Sequence, residues 1–217
     1  MKGFFVTGTD TGIGKTIVSA SLMCVLKEVE KVCYWKPVQT GIEEDNDTET
    51  VRNLANLRDE EIFDVGFRLE KPLSPHLSAK LANVEITVDK VLKFLEKADQ
   101  EKFFLVEGAG GVLVPLNENE LIIDLIKALN LTAIVVARSG LGTINHTCLT
   151  LEALRNRQIE IAGIVMNGEP NLENRKAIEH YGKIKVLAEM PKFEKLSSEI
   201  LVDWSRKNYA DFTKKTN

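Results

Sequence analysis

Cysteine, histidine and tryptophan are scarce, at three, three and two residues in a chain of 217. Cys24, Cys33 and Cys148 are odd in number, scattered and in no metal-ligand spacing, which argues against a disulfide framework or a thiolate zinc site and for a reducing compartment. They read as small buried apolar side chains. An excess of charge is also missing: 28 basic residues are interspersed with 32 acidic ones, for a net charge of −4. That balance carries no electrostatic footprint for nucleic acid or an anionic membrane, so no partner of either kind is expected. There is no internal repeat, no low-complexity tract and no apolar run of membrane-spanning length, and Met1-Lys2 runs directly into apolar residues without a charged leader. A cytoplasmic protein with a small-molecule substrate is the expectation. With 44% hydrophobic residues, the chain is long enough to fill the core of one domain over 1–217, with the polar tail 196–217 peripheral.

What is present is an alternation of periods. Phe4–Thr7, Val32–Trp35, Phe103–Glu107, Ala133–Ala137, Ile161–Met166 and Lys185–Leu187 are short apolar runs rich in β-formers, most of them apolar on both faces. Between them Lys15–Val29, Asp47–Leu57, Val88–Lys97, Leu121–Leu129, Asn145–Arg157 and Leu172–His180 carry helical spacing, several behind an Asp, Asn or Thr cap. The fold class implied is α/β: a doubly wound, mainly parallel sheet with helices on both faces, and the glycine-rich run from Gly8 to Lys15-Thr16 after the first strand makes it of the P-loop NTPase kind. Ligands in such folds sit beyond the carboxyl ends of the strands. The stretch Phe67–His76, with Pro72 and Pro75, reads as one long connection.

Beyond the first strand lies Gly8-Thr9-Asp10-Thr11-Gly12-Ile13-Gly14-Lys15-Thr16, with Ile17 opening an amphipathic segment. Glycines there allow successive backbone N–H groups to turn inward around phosphate oxygens, and a helix starting near Lys15 aims its positive end at them. Lys15 is placed to neutralise β/γ oxygens and Thr16 to hold Mg²⁺, so the chain is expected to bind a nucleoside triphosphate. The first glycine stands one residue early, giving G-x-x-x-x-x-G-K-T in place of G-x-x-x-x-G-K-T. Beyond the second strand, Lys36-Pro37-Val38-Gln39-Thr40-Gly41 offers another cation suited to phosphoryl transfer. Beyond the third, Glu107 precedes Gly108-Ala109-Gly110-Gly111, a carboxylate with room beside it for a ligand. Thr16, Glu107 and one Asp from the run Glu43-Glu44-Asp45-Asn46-Asp47 make a plausible set for Mg²⁺.

In order and spacing, Gly8-Thr9-Asp10-Thr11, Gly14-Lys15-Thr16, Lys36-Pro37-Val38, Asp47, Ser74-Pro75-His76, Glu107-Gly108-Ala109-Gly110-Gly111, Gly142-Thr143-Ile144-Asn145-His146, Asn167 and Glu189-Met190-Pro191 resemble the dethiobiotin synthetases, over residues 3 to about 191. The resemblance implies an ATP-dependent ligase of biotin synthesis that joins 7,8-diaminononanoate and CO₂ into a cyclic urea. It implies Lys15, Lys36 and Thr11 as catalytic residues, and Thr16, Asp47 and Glu107 as metal ligands. It places the nucleotide on residues 8–17 and on Asn167. The substrate falls to Thr11, Lys36, Thr40, Gly110 and Gly111, and to Leu141, Gly142, Thr143 and Asn145 supplied by the partner of a homodimer.

Gly12 stands where some of these enzymes carry an acidic side chain, and the segments Gly168-Glu169-Pro170 and after Pro191 are short for a full base pocket, which implies loose nucleotide selectivity. His76 and His146 read as loop-holding residues rather than bases. The rival reading is a P-loop switch ATPase acting through a protein partner. Those proteins place a second lysine near the start of the loop, where this chain has Thr9 and Asp10.

Overall fold

Apolar strands that bury both faces need neighbours on each side, and here they find them. A computed structural model describes residues 1–43 and 46–209; Glu44 and Asp45, two of the candidate metal carboxylates, lie outside the described residues, as does the segment from 210. The strands are β1 (Lys2–Gly8), β2 (Val32–Trp35), β3 (Val38–Thr40), β4 (Phe67–Leu69), β5 (Phe103–Gly111), β6 (Thr132–Arg138), β7 (Ile161–Asn167) and β8 (Val186–Met190). The helices are α1 (Lys15–Leu26), α2 (Asp47–Ala55), α3 (Pro75–Leu81), α4 (Val88–Phe94), α5 (Ile122–Leu129), α6 (Thr143–Asn156), α7 (Leu172–Gly182) and α8 (Ser198–Asn208). Six strands form one parallel sheet in the order β2-β5-β1-β6-β7-β8, which confirms the expected doubly wound α/β architecture.

Alternation along the strands divides the core in two. Phe5, Trp35, Phe104, Val106, Val135 and Met166 point to one face with residues of α3 to α7; Val6, Tyr34, Leu105, Ile134, Val136 and Val165 point to the other with α1, α2 and α8. Because every strand runs the same way, the carboxyl ends of β1, β2, β5, β6 and β7 share one edge, and the loops that leave that edge can converge.

Two expectations are corrected. The stretch Phe67–His76 is not a plain connection: it contains β4 and the start of α3. β4 pairs with β3 in a separate two-stranded parallel sheet, in the register Val38↔Phe67 and Thr40↔Leu69, and Phe67 N–H donates to the Pro37 carbonyl at 2.8 Å. Three-residue strands are too short for alternation to be legible, and their pairing is a tertiary event. Pro75 stands at the first helical position of α3, where its missing N–H is not needed. The tail from 196 is not peripheral as far as it is described: Ser197 caps α8 by accepting from Ile200 N–H, and Leu201, Ser205 and Tyr209 are buried against α1 and α2. The Tyr209 hydroxyl lies 3.3 Å from that of Ser21 on α1. Smaller differences are that α1 ends at Leu26, α6 begins at Thr143, and α4 tightens into a 3₁₀ turn over Leu95–Lys97.

Truncating a fully buried leucine removes transfer energy and leaves a void. Leu201→Ala should therefore lower unfolding free energy by about 2–4 kcal/mol in urea denaturation, whereas Ile200→Ala, on the exposed side of α8, should cost less than about 1 kcal/mol.

Candidate active site

The loop after β1 is built around its glycines. Gly14 adopts φ +92° as the N-cap of α1, and a Cβ there would lie 2.1 Å from Asn167 Nδ2, so only glycine fits. Among the described residues no side chain caps α1, and its first turn has no acidic residue, which leaves its N-terminal amides and dipole for an anion. Asn167, at the end of β7, donates to the Ile13 carbonyl at 2.8 Å and so braces the loop from the neighbouring strand. Asp10 is braced too: its carboxylate accepts from Arg138 Nη2 at 2.5 Å and from Thr11 N–H at 2.7 Å. Lys15, buried, reaches back to donate to the Asp10 carbonyl at 3.1 Å.

Behind the loop five side chains from four elements meet. Lys36, 4% exposed, follows β2 and pairs with Asp47 Oδ2 at 2.5 Å and Glu107 Oε1 at 2.7 Å. Thr16 Oγ1 lies 2.7 Å from Asp47 Oδ1 and 3.0 Å from Glu107 Oε1. Glu107, fully buried, also accepts from the Tyr34 hydroxyl at 3.0 Å. Burial opposes the charge on Lys36, but Glu107 and Asp47 outweigh it and hold the ammonium above its ordinary pKa. The same balance runs in reverse at Asp47: burial works against its carboxylate, Lys36 outweighs it, and the pKa falls below the usual value. At Lys15 the balance tips the other way, because the carboxylates of Glu107, Asp47 and Asp10 do not outweigh burial. Burial first, and the neighbouring Lys36 second, lower the Lys15 pKa from 10.5 to about 8.

Thr16, Asp47 and Glu107 converge one hydroxyl and two carboxylates on a common point at the phosphate end of α1. Hard oxygen donors with two negative charges, completed by phosphate oxygens and water, are what Mg²⁺ takes, so these residues fit that ion.

A cleft of about 440 Å³ opens over this cluster, with Thr11, Gly14, Ile17 and Gly110 on its walls. Thr11 and Gly110 also line an adjoining cleft of about 480 Å³ with Thr40, and Thr11 lines a third of about 420 Å³ with Gly111 and His146. Thus Thr11, Lys15, Thr16, Lys36, Thr40, Asp47, Glu107, Gly110 and Gly111 share one region. Leu141, Gly142, Thr143 and Asn145 line none of the three clefts of this chain; Leu141 and Asn145 are exposed, and Thr143, the first residue of α6, is buried. His76 is exposed, and its backbone N–H donates to the Pro115 carbonyl. Sequence reasoning missed Arg138 and Tyr34. Arg138 is a cation closing an otherwise apolar strand, which is a usable signal, whereas Tyr34 inside a buried strand gives none.

Comparison with known proteins adds the family. A family profile described as an AAA domain matches residues 2–200. The ATP-dependent dethiobiotin synthetase of Paramagnetospirillum magneticum is 48% identical over 190 residues, covering 88% of each chain. That of Brucella melitensis is 45% identical over 196 residues, covering 90% of this chain and 89% of the relative. The biotin biosynthesis bifunctional protein of Bordetella avium is 46% identical over 206 residues, and this chain spans 43% of its length. Among solved structures, the cell division ATPase MinD of Pyrococcus furiosus superposes with a TM-score of 0.61 over 98% of this chain and 100% of that one, at 15% identity. A ParA family ATPase of Chlorobium tepidum gives 0.59 over 94% and 97%, at 12% identity. At such identities the likeness is one of fold.

An ammonium with a pKa of about 8 loses its charge as pH rises through that value, and an adjacent triphosphate restores it. Nucleoside triphosphate affinity should therefore fall above pH 8, with uptake of about half a proton per ligand at pH 8. Calorimetry in buffers of different ionisation heat measures that uptake, and Lys15→Met should abolish it.

Proposed function

The chain belongs to the family of ATP-dependent dethiobiotin synthetases, ligases of biotin biosynthesis, and from that premise we propose that it closes the cyclic urea of dethiobiotin from 7,8-diaminononanoate, CO₂ and ATP. One amine adds to CO₂, loses a proton and becomes a carbamate. A carbamate oxygen then attacks the γ-phosphorus, ADP departs, and a carbamic–phosphoric anhydride results. The second amine attacks the carbamoyl carbon, expels inorganic phosphate and loses a proton. Atoms balance as diamine, CO₂ and ATP giving dethiobiotin, ADP and phosphate.

The observation that carries this reading is the gathering of two buried lysines, Lys15 and Lys36, and two carboxylates, Asp47 and Glu107, on one cleft, with Lys36 paired to both carboxylates. Phosphoryl transfer spreads negative charge over the phosphate oxygens, and catalysis there consists of positioning and preorganised positive charge. Lys15 serves the β/γ oxygens from the start of α1. Lys36 reaches the carbamate and γ-phosphate from the end of β2, with Thr11 and Thr40 beside it as substrate contacts. Thr16, Asp47 and Glu107 would hold Mg²⁺, which supplies further charge neutralisation when bound. The loop 8–17 cradles the triphosphate, and Asn167 lies beside it for the base.

The reading extends to a homodimer in the cytoplasm. Leu141, Gly142, Thr143 and Asn145 line none of the three clefts of this chain, and Gly142 caps α6 without a side-chain hydrogen bond, which leaves amides suited to a substrate carboxylate. Exposed Leu113 and Leu149 lie beside one cleft and suit an apolar contact with a second subunit. Among the described residues no helix is long and apolar enough to cross a membrane. The switch-ATPase alternative rests on fold likeness alone.

Purified protein given diaminononanoate, bicarbonate, Mg²⁺ and ATP should yield dethiobiotin by mass spectrometry, and Lys15→Gln and Lys36→Gln should each lower kcat by about 10²–10³. ATP hydrolysis without that product would instead support the switch reading. Because one base contact is worth roughly 1 kcal/mol, GTP and CTP should serve within about tenfold of ATP in kcat/KM; a preference above a hundredfold would contradict loose selectivity.

A further inference from the structure

Glu107 has two carboxylate oxygens with different tasks. Oε1 accepts from Lys36 Nζ and Thr16 Oγ1 and so faces the cleft, while Oε2 accepts from the Tyr34 hydroxyl. Tyr34 and Glu107 are both fully buried, so water has no access to take the hydroxyl's place. Register explains why this residue type is needed. β2 and β5 are neighbours with Tyr34 level with Leu105, and Glu107 lies two residues further along β5, roughly 6.5 Å along the strand and on the same face as Leu105. A serine or threonine hydroxyl falls short of that gap, a phenylalanine fills the space without donating, and a tyrosine spans it and donates.

We propose that Tyr34 is a positioning residue, whose phenol pins Glu107 Oε2 so that Oε1 is presented to Thr16, Lys36 and the divalent cation of the phosphoryl-transfer site. The terminal torsion of a glutamate is broad and roughly two-fold, so a donor fixed on one oxygen is what assigns the other its direction. Partners that orient a metal-binding carboxylate affect ion affinity while making no contact with the ion. The role rests on the ligase reading only in naming that cation; the tyrosine–glutamate geometry is independent of which substrate is phosphorylated.

The test is Mn²⁺ binding to the full-length, ADP-loaded chain, followed by the EPR signal of the free ion. Tyr34→Phe should weaken Mn²⁺ binding by about tenfold, leave ADP binding without metal within twofold, and leave the far-ultraviolet circular dichroism unchanged. Tyr209→Phe, which removes another buried phenol beside Ser21, should alter neither affinity. In a Glu107→Gln background, Tyr34→Phe should add little further loss of Mn²⁺ affinity. Undiminished Mn²⁺ affinity in a folded Tyr34→Phe overturns the proposal, and so does an equal loss of metal-free ADP affinity, which would mark the phenol as packing only. Should that variant fail to fold, 3-fluorotyrosine labelling serves, with Tyr181→Phe and Tyr209→Phe identifying the other two resonances. The Tyr34 signal should shift when Mg²⁺ joins the ADP complex, and a stationary signal overturns the proposal. A chain that shows Tyr34-dependent metal affinity yet makes no dethiobiotin overturns the reaction assignment and leaves this role standing.

Discussion

A lysine held between two carboxylates, almost out of reach of water, constrains everything around it. Lys36, Asp47 and Glu107 are each costly to bury alone, and removing one member of such a set leaves uncompensated charge worth about 3–5 kcal/mol. The set persists because each charge is matched: Lys36 by both carboxylates, Glu107 further by Tyr34 and Thr16, and Asp47 by the same threonine. Lys15, next to this group, has no ion pair among the described residues, and burial first, with Lys36 second, lowers its pKa. Two lysines and two carboxylates fixed on one cleft give preorganised charges of both signs, which under the proposed ligase reading serve a phosphate and the cation that accompanies it.

Parallel topology is what makes the arrangement affordable. Every strand delivers its carboxyl end to one edge, so residues at 16, 36, 47 and 107 meet without any long excursion of the chain. Bracing of the phosphate loop also comes from that edge, through Arg138 at the end of β6 and Asn167 at the end of β7, which are register partners. The same edge in the MinD and ParA ATPases belongs to proteins whose sequences share only about one residue in seven or eight with this chain. Fold is common to these proteins; activity follows the side chains placed on it.

Much of this was legible from the residues. Strands apolar on both faces announced the covered parallel sheet, and the glycine spacing around Lys15 announced the phosphate loop, because close approach of backbone to an anion leaves few residue types permissible. Lys36 stood out as a charge directly after a buried strand, and Glu107 as the carboxylate closing another. The two-stranded sheet of β3 and β4 was not legible, since its three-residue strands have no period to read. Nor was α8, whose scattered apolar residues form a stripe only when the helix exists and α1 lies beneath it.

Local constraint and distant assembly therefore divide the protein between them. The order of elements, the anion-binding loop and the residue types that could serve it follow from the residues alone, because backbone sterics, hydrophobic period and side-chain chemistry act over a few neighbouring positions. That Tyr34 meets Glu107, that Arg138 holds Asp10 and that Lys36 lies between two carboxylates are consequences of the assembled sheet. Those partners are 73, 128, 11 and 71 residues apart, with only the shortest separation inside one loop-and-helix unit, and strand register rather than any local rule sets their distance.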